Sequence, residues 1–332
     1  MAYSLPTMPD AVLDQIPRVI LGQFPTPLQE APRLSAAAGA PIWLKRDDLT
    51  AVGLGGNKVR ALEFLLGAAL DDNCDVLVTG AGPQSNWAML AALAARRCGL
   101  ESEICLYGSA PEVARGNLLL HEMTGARINW TGSKDRESVD LLIEQTADGL
   151  RAQGRRPFVL PRGGATARGS IGYFAAAAEM AAQFRAAGIG SPTVWLGTGS
   201  CGTQAGLVAA VGAEVISRVV GVTVSRPVEE CRTRVAALAS GAADLLGIQA
   251  PPSAAVEVVD GWIGPGYGIA SDEGRTAADL VAGTEAVLLD PVFGAKAMAA
   301  LLAQAHAGAL DGPTVFLVTG GAPTLFAQGG GL

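Results

Sequence analysis

The chain has 332 residues, a formal net charge of −7, 49% hydrophobic residues and only 17% charged ones. That is enough apolar chain for one large or two medium domains with a sizeable core. The acidic balance, with no basic run, argues against a nucleic-acid partner, whose phosphates draw on clustered Lys and Arg.

No segment reaches the length of a membrane-spanning helix, so no membrane partner is expected. Residues 1–20 lack the basic start and apolar run of a secretory signal. The five cysteines, Cys74, Cys98, Cys105, Cys201 and Cys231, form no CxxC pair. Free thiols and a cytoplasmic enzyme are therefore expected. The two histidines, His121 and His306, stand in no metal-ligand spacing, and there is no G-x-S-x-G elbow. No metal is expected, and acid–base chemistry falls to Lys, Ser, Tyr or a carboxylate.

In chain order, a strand ends at Asp48. The helix after it carries Val59, Leu62, Leu66 and Ala69 at helical spacing, with Asn57 as its cap. A strand at 75–79 precedes a second helix that starts at Ser85 or Asn86 and stops at Gly99. Strands follow at 103–107, 127–130 and 158–160. The strand at 193–196 runs through a glycine-rich turn into a third helix, starting at Gly202 or Thr203. Strands at 219–224, 286–289 and 315–319 complete the series. Near-continuous apolar strands alternating with helices indicate an α/β chain with parallel sheets covered on both faces. Boundaries near 48–58 and 155–164 set off a smaller α/β lobe, 56–161, inserted into a larger one made of 1–55 and 162–332. A loose tail is expected at Gly329-Gly330-Gly331.

Three glycine-rich or polar turns sit at helix starts, where open α/β sheets bind ligands. In Gly55-Gly56-Asn57-Lys58, a cation at a helix N-terminus is opposed by the helix dipole, which lowers the lysine pKa and favours attack on an aldehyde. The glycines allow close backbone approach to a planar ring. Asn57 either donates to a phenolic oxygen or only caps the helix. In 197–203, Gly199, Ser200, Cys201, Gly202 and Thr203 leave backbone N–H groups free to converge on an anion. In Gln84-Ser85-Asn86, a hydroxyl and amides can hold a carboxylate, Ser85 can pass a proton, or the group only caps the helix.

Taken in series, these residues carry a resemblance. Arg46-Asp47-Asp48, Gly55-Gly56-Asn57-Lys58 with Arg60, Gln84-Ser85-Asn86, the loop 199–203, Asp290-Pro291-Val292, Lys296-Ala297-Met298 and Gly320-Gly321-Ala322-Pro323 together resemble the 1-aminocyclopropane-1-carboxylate deaminase and D-cysteine desulfhydrase family. The likeness runs in order from about Phe24 to Phe326.

The resemblance implies the tryptophan synthase β-like fold of pyridoxal 5'-phosphate (PLP) enzymes, fold type II. Two α/β domains would hold the cofactor between them, usually in a homodimer. It also implies that Lys58 forms the Schiff base with PLP and serves as base for the substrate α-proton. Gly199, Ser200, Cys201, Gly202 and Thr203 would hold the phosphate, and Asn57 or Asn86 would lie near the ring hydroxyl. Ser85 and Tyr267 match catalytic and substrate-binding positions. Thr319 is a candidate for the ring nitrogen.

Departures from the family narrow the activity. The family usually has Asp-Pro-Val-Tyr followed by Glu or Thr, where this chain has Asp290-Pro291-Val292-Phe293-Gly294. Phe293 lacks a hydroxyl, and Gly294 lacks the acid that supports the pyridine nitrogen in deaminases. Cyclopropane opening, with no α-proton to remove, should suffer most. Trp87 replaces a smaller or polar residue; it closes the substrate pocket, stacks on substrate or packs in the core. The reading is a PLP-dependent lyase of the D-cysteine desulfhydrase type, acting by β-elimination on a small β-substituted amino acid. The alternatives are β-replacement, racemisation, aminocyclopropane carboxylate deamination, or PLP binding with little turnover. A nicotinamide enzyme is the outsider, since no strand–GxGxxG–helix unit is present.

Overall fold

The structure, a computed structural model, describes residues 10–327. The expected glycine tail at 329–331 lies outside them. After α1 (Asp10–Leu13) come β1 (Leu28–Glu30), α2 (Pro32–Ala38) and β2 (Ile42–Arg46). Next are α3 (Lys58–Asp71), β3 (Val76–Ala81), α4 (Asn86–Arg97), β4 (Glu101–Leu106), α5 (Asn117–Met123), β5 (Arg127–Trp130), α6 (Ser138–Ala152) and β6 (Pro157–Val159). The rest of the chain forms α7 (Ala167–Ala187), β7 (Thr193–Thr198), α8 (Gly202–Gly212), β8 (Arg218–Thr223), α9 (Val228–Leu246), β9 (Glu257–Val259), α10 (Asp272–Glu285), α11 (Gly294–His306) and β10 (Thr314–Val318).

The strands form two sheets. One has the order β1-β2-β10-β7-β8-β9, antiparallel only between β1 and β2. The other has the order β5-β4-β3-β6, parallel throughout. Every residue of β3 and β10 is buried, as expected of central parallel strands covered on both faces. Among the described residues no helix is long and apolar enough to cross a membrane.

One predicted strand is corrected. Residues 286–289 pair with no other strand: Ala286 ends α10 in a left-handed conformation (φ 55°). The apolar alternation there is real, since Val287 and Leu289 are buried and Leu288 is exposed. It marks a segment packed on the core without a partner strand.

Each sheet reverses its strand order once, and both reversals face the cleft. In the smaller sheet β4 and β5 lie on one side of β3 and β6 on the other, so the loops after β3 and β6 diverge. In the larger sheet β8 and β9 lie on one side of β7, with β10 on the other. Such switch points open a crevice at the carboxyl ends of the strands.

α3 is anchored from beneath. Arg60, 4% exposed, donates to both oxygens of Asp47 (2.7 and 2.8 Å) and both of Glu179 (3.0 and 2.9 Å). Lys45 pairs with the same Glu179, and the Tyr173 hydroxyl donates to Asp47. Burial alone would raise the Asp47 carboxyl, but the Arg60 guanidinium, with the Thr26 and Tyr173 hydroxyls, outweighs it and holds the group below its usual range. The network ties the first turn of α3 to β2 and α7, which fixes the neighbouring Lys58.

Candidate active site

The loops at the two switch points line one cleft of about 300 Å³. Its walls are Asn57, Lys58 and Ala61 from α3, Trp87 from α4, and Gly163 to Thr166 with Gly169 and Tyr173 around the start of α7. Ser200, Gly202 and Thr203 from the turn into α8 complete it.

The glycine pair before Lys58 is required by close approach. Gly55 has φ 72°, and a Cβ there would lie 1.9 Å from the Asp48 carbonyl oxygen. A second pair crosses it: a Cβ on Gly320 would lie 2.8 Å from Gly56 Cα. The Asn57 N–H donates to the Thr319 carbonyl (2.9 Å) across this crossing.

Asn57 does not cap α3 with its side chain, contrary to the expectation. Its backbone is helical (φ −56°, ψ −24°), where a capping side chain needs an extended one. Its Nδ2 instead donates to Thr203 Oγ1 (2.9 Å), joining the start of α3 to the start of α8. Ser85 does cap α4, its Oγ accepting the Ala88 N–H (3.3 Å). That bond leaves the Ser85 hydroxyl hydrogen free to donate. Asn86 Oδ1 accepts from Asn117 Nδ2 (2.7 Å), and Asn117 is held in turn by Gln84.

Trp87 packs in the core and forms a wall of the cleft at once. It is buried, its indole N–H donates to Thr79 Oγ1 (3.0 Å), and its ring lies where Gly164 would carry a Cβ, 2.1 Å away. Cys201 is buried at the head of α8 in a left-handed conformation (φ 75°).

Some candidates stand off the cleft. Ser85, Asn86, Gly199, Cys201, Tyr267, Phe293 and Thr319 are not in its lining. Phe293 lies against the loop all the same: a Cβ on Gly199 would be 2.8 Å from its ring. Tyr267 meets Phe293 edge to face at 6.2 Å, and Arg136 stands 5.1 Å over the Tyr267 ring. Lys296, fully buried, donates to the carbonyls of Ile263 (2.6 Å) and Gly266 (3.0 Å) and so pins the loop that carries Tyr267. Asp290 accepts the N–H groups of Val292, Phe293 and Gly294. A side chain on Gly294 would start 3.1 Å from that carboxylate.

Gly163 to Thr166 were not among the sequence candidates. The signal was present as a glycine pair and a threonine ahead of a helix, with Thr166 Oγ1 capping α7 by accepting the Gly169 N–H (3.0 Å).

The lysines decide the chemistry. The chain has four, Lys45, Lys58, Lys134 and Lys296. Lys45 is held by Glu179, Gln183 and the Thr26 carbonyl. Lys296 is held by two carbonyls, and Lys134 is exposed in a turn. Lys58 alone faces the cleft, and among the described residues no carboxylate pairs with it. Its side chain is half-buried. Burial pushes its pKa down to about 8. The shift has the expected direction, and desolvation is its leading cause.

An unpaired, readily deprotonated lysine faces, across the cleft, the first turn of α8, whose N–H groups have no intrahelical acceptor. A carbonyl cofactor with an anionic handle fits this pair of features. Residues 19–320 match the family described as pyridoxal-phosphate dependent enzyme. The chain belongs to this family. It is 40% identical to the D-cysteine desulfhydrases of Salmonella paratyphi B and Salmonella newport, over 96% of this chain and 98% of theirs. A solved ACC deaminase homologue is 35% identical, covers 95% of each chain and superposes with a TM-score of 0.89. A threonine deaminase structure, 19% identical with a TM-score of 0.66, shares the fold. The fold is type II, as the resemblance implied, and the enzyme is PLP-dependent.

The Lys58 pKa gives the cofactor-free enzyme a pH signature. Its folded value lies below the ordinary 10.5, so the neutral amine accumulates as pH rises through about 8. The rate at which the stripped enzyme regains PLP absorbance should climb through that pH. The unfolded chain keeps this proton up to about 10.5, so the Lys58 contribution to stability also improves with pH across that window.

Proposed function

We propose that this PLP-dependent lyase is of the D-cysteine desulfhydrase type. It catalyses β-elimination from a small β-substituted amino acid, yielding a keto acid and ammonia. The observation that carries the reading is Lys58, the one lysine that faces the cleft unpaired, in a chain 40% identical to D-cysteine desulfhydrases over nearly full length. PLP, when bound, supplies the electron sink that makes the substrate α-C–H acidic.

The chain's own residues supply the rest. Lys58 anchors the cofactor and, once free and neutral, takes the α-proton. The first turn of α4, with the Ser85 hydroxyl, receives the substrate carboxylate. The loop from Gly199 to Thr203 receives the phosphate, with Thr203 oriented by Asn57. Asn86, oriented by Asn117, would stand by the ring hydroxyl of a bound cofactor, and Thr319 would be the candidate partner for its nitrogen. Trp87 excludes water from one wall. Tyr267 and Phe293 bound the substrate side, where Phe293 offers no proton. Loss of the β-substituent leaves an enamine that water converts to keto acid and ammonia.

The division into a cofactor-holding domain, expected at 1–55 and 162–332, and a smaller one at 56–161 is supported, over the described residues, by the grouping of strands into two sheets. The five free cysteines support a cytoplasmic location. The homodimer rests on the family resemblance.

The test is a substrate screen of the purified holoenzyme over D- and L-cysteine, cysteate, serine derivatives and aminocyclopropane carboxylate, reading keto acid and ammonia. Turnover of a β-substituted amino acid with little on aminocyclopropane carboxylate is expected. Rapid turnover of aminocyclopropane carboxylate would overturn the argument from Phe293 and Gly294. No release from any of them would leave a PLP binder without lyase activity.

A further inference from the structure

The turn from β7 into α8 is braced from behind by α9. Arg226, just ahead of that helix, donates from Nε to the Gly199 carbonyl oxygen (3.1 Å). Arg234, within it, donates from Nε to the next carbonyl, that of Ser200 (3.2 Å). Arg226 is itself fixed. The Arg226 carbonyl accepts from Thr223 Oγ1 (2.7 Å), and its guanidinium pairs with Glu230 one turn along α9.

Two consecutive carbonyls held by two separate side chains have a geometric consequence. A trans peptide is planar, with its C=O and following N–H pointing in opposite directions. Fixing the Gly199 carbonyl on Arg226 turns the Ser200 N–H away from α9. Fixing the Ser200 carbonyl on Arg234 does the same for the Cys201 N–H. The turn holds an unfavourable shape, with Cys201 at φ 75°, a conformation that L-residues rarely adopt; the Cys201 thiol also reaches the Gly199 carbonyl (3.6 Å). A charged donor on each carbonyl also polarises its peptide and strengthens the opposite N–H as a donor.

We propose that Arg226 and Arg234 are positioning residues for the cofactor phosphate, acting through the peptides Gly199–Ser200 and Ser200–Cys201 without touching the ligand. The proposal rests on the reading of this turn as the phosphate site. It places determinants of cofactor affinity on α9 and the residue pair ahead of it, which line no part of the cleft.

The test compares PLP with pyridoxal, which lacks the phosphate, by titrating each into the full-length enzyme stripped of cofactor. The wild type should bind PLP far more tightly. Arg234→Ala should weaken PLP binding by roughly 10- to 100-fold, the worth of a charged hydrogen bond, while changing pyridoxal binding by less than about 2-fold. Arg234→Lys, which keeps a cationic donor, should recover part of the loss. Arg226→Ala is the second variant, and inorganic phosphate should compete less well against PLP in both Ala variants. Equal weakening of PLP and pyridoxal in both would reduce the arginines to general braces and overturn the proposal. If the wild type itself does not prefer PLP, the phosphate reading of the turn fails first, whatever the variants do.

Discussion

Replacing Lys58 with alanine should lower kcat by at least about 10⁴-fold, because one side chain is both covalent anchor and proton acceptor. The visible absorbance of lysine-bound cofactor should vanish with it. The fold should survive. Lys58 makes no ion pair among the described residues, and its ammonium is disfavoured by burial. Removing a cation that the site destabilises costs no stability, so the cofactor-free variant should unfold at the wild-type temperature or slightly above. A catalytic loss accompanied by unfolding would instead make Lys58 a structural residue.

Arg60→Ala should act in the opposite way, through stability. It leaves the fully buried Asp47 without a cation, while Glu179 keeps only Lys45. Breaking a buried ion pair by deleting one partner costs about 3–5 kcal/mol. The Arg60 guanidinium also lies 4.2 Å over the Phe24 ring, and that contact goes too. The pH dependence identifies the cause. In the wild type, Asp47 and Glu179 titrate below their ordinary 3.8 and 4.5. Their contribution is present above those values and is lost as pH falls through the folded ones. In the variant the buried carboxyls gain by protonation, so the deficit should be largest near neutral pH and shrink in acid. Denaturant unfolding at pH 7 and pH 4 measures it, and a deficit independent of pH would contradict the electrostatic account.

Much of the architecture was legible because parallel strands buried on both faces carry their signal locally. The strand expected at 127–130 reappears unchanged, and those at 193–196 and 315–319 reappear with small shifts at their ends. Two of the three-residue edge strands, Leu28–Glu30 and Glu257–Val259, carried too little apolar sequence to be seen, whereas Pro157–Val159 was expected at 158–160. Residues 286–289 failed for a different reason. Period-two burial reports which side chains point inward, and says nothing of whether a neighbour accepts the backbone hydrogen bonds. At the site, Lys58 and the turn into α8 were marked by glycines at helix starts. Asn57 was read as a cap because its partner, Thr203, lies 146 residues away. Gly163 and Gly164 looked like a domain boundary, and the structure makes the same glycines a wall of the cleft beneath Trp87. The ties from Arg226 and Arg234 were invisible for the same reason as Asn57. A hydrogen bond from a side chain to a distant carbonyl leaves no periodicity or spacing behind.

The most direct measurement is to reduce the PLP-loaded enzyme with borohydride, digest it and map the pyridoxyl group by mass spectrometry. The account predicts the label on the peptide containing Lys58 and on none containing Lys45, Lys134 or Lys296. A label on one of those three, or a reduced protein carrying none, would contradict it.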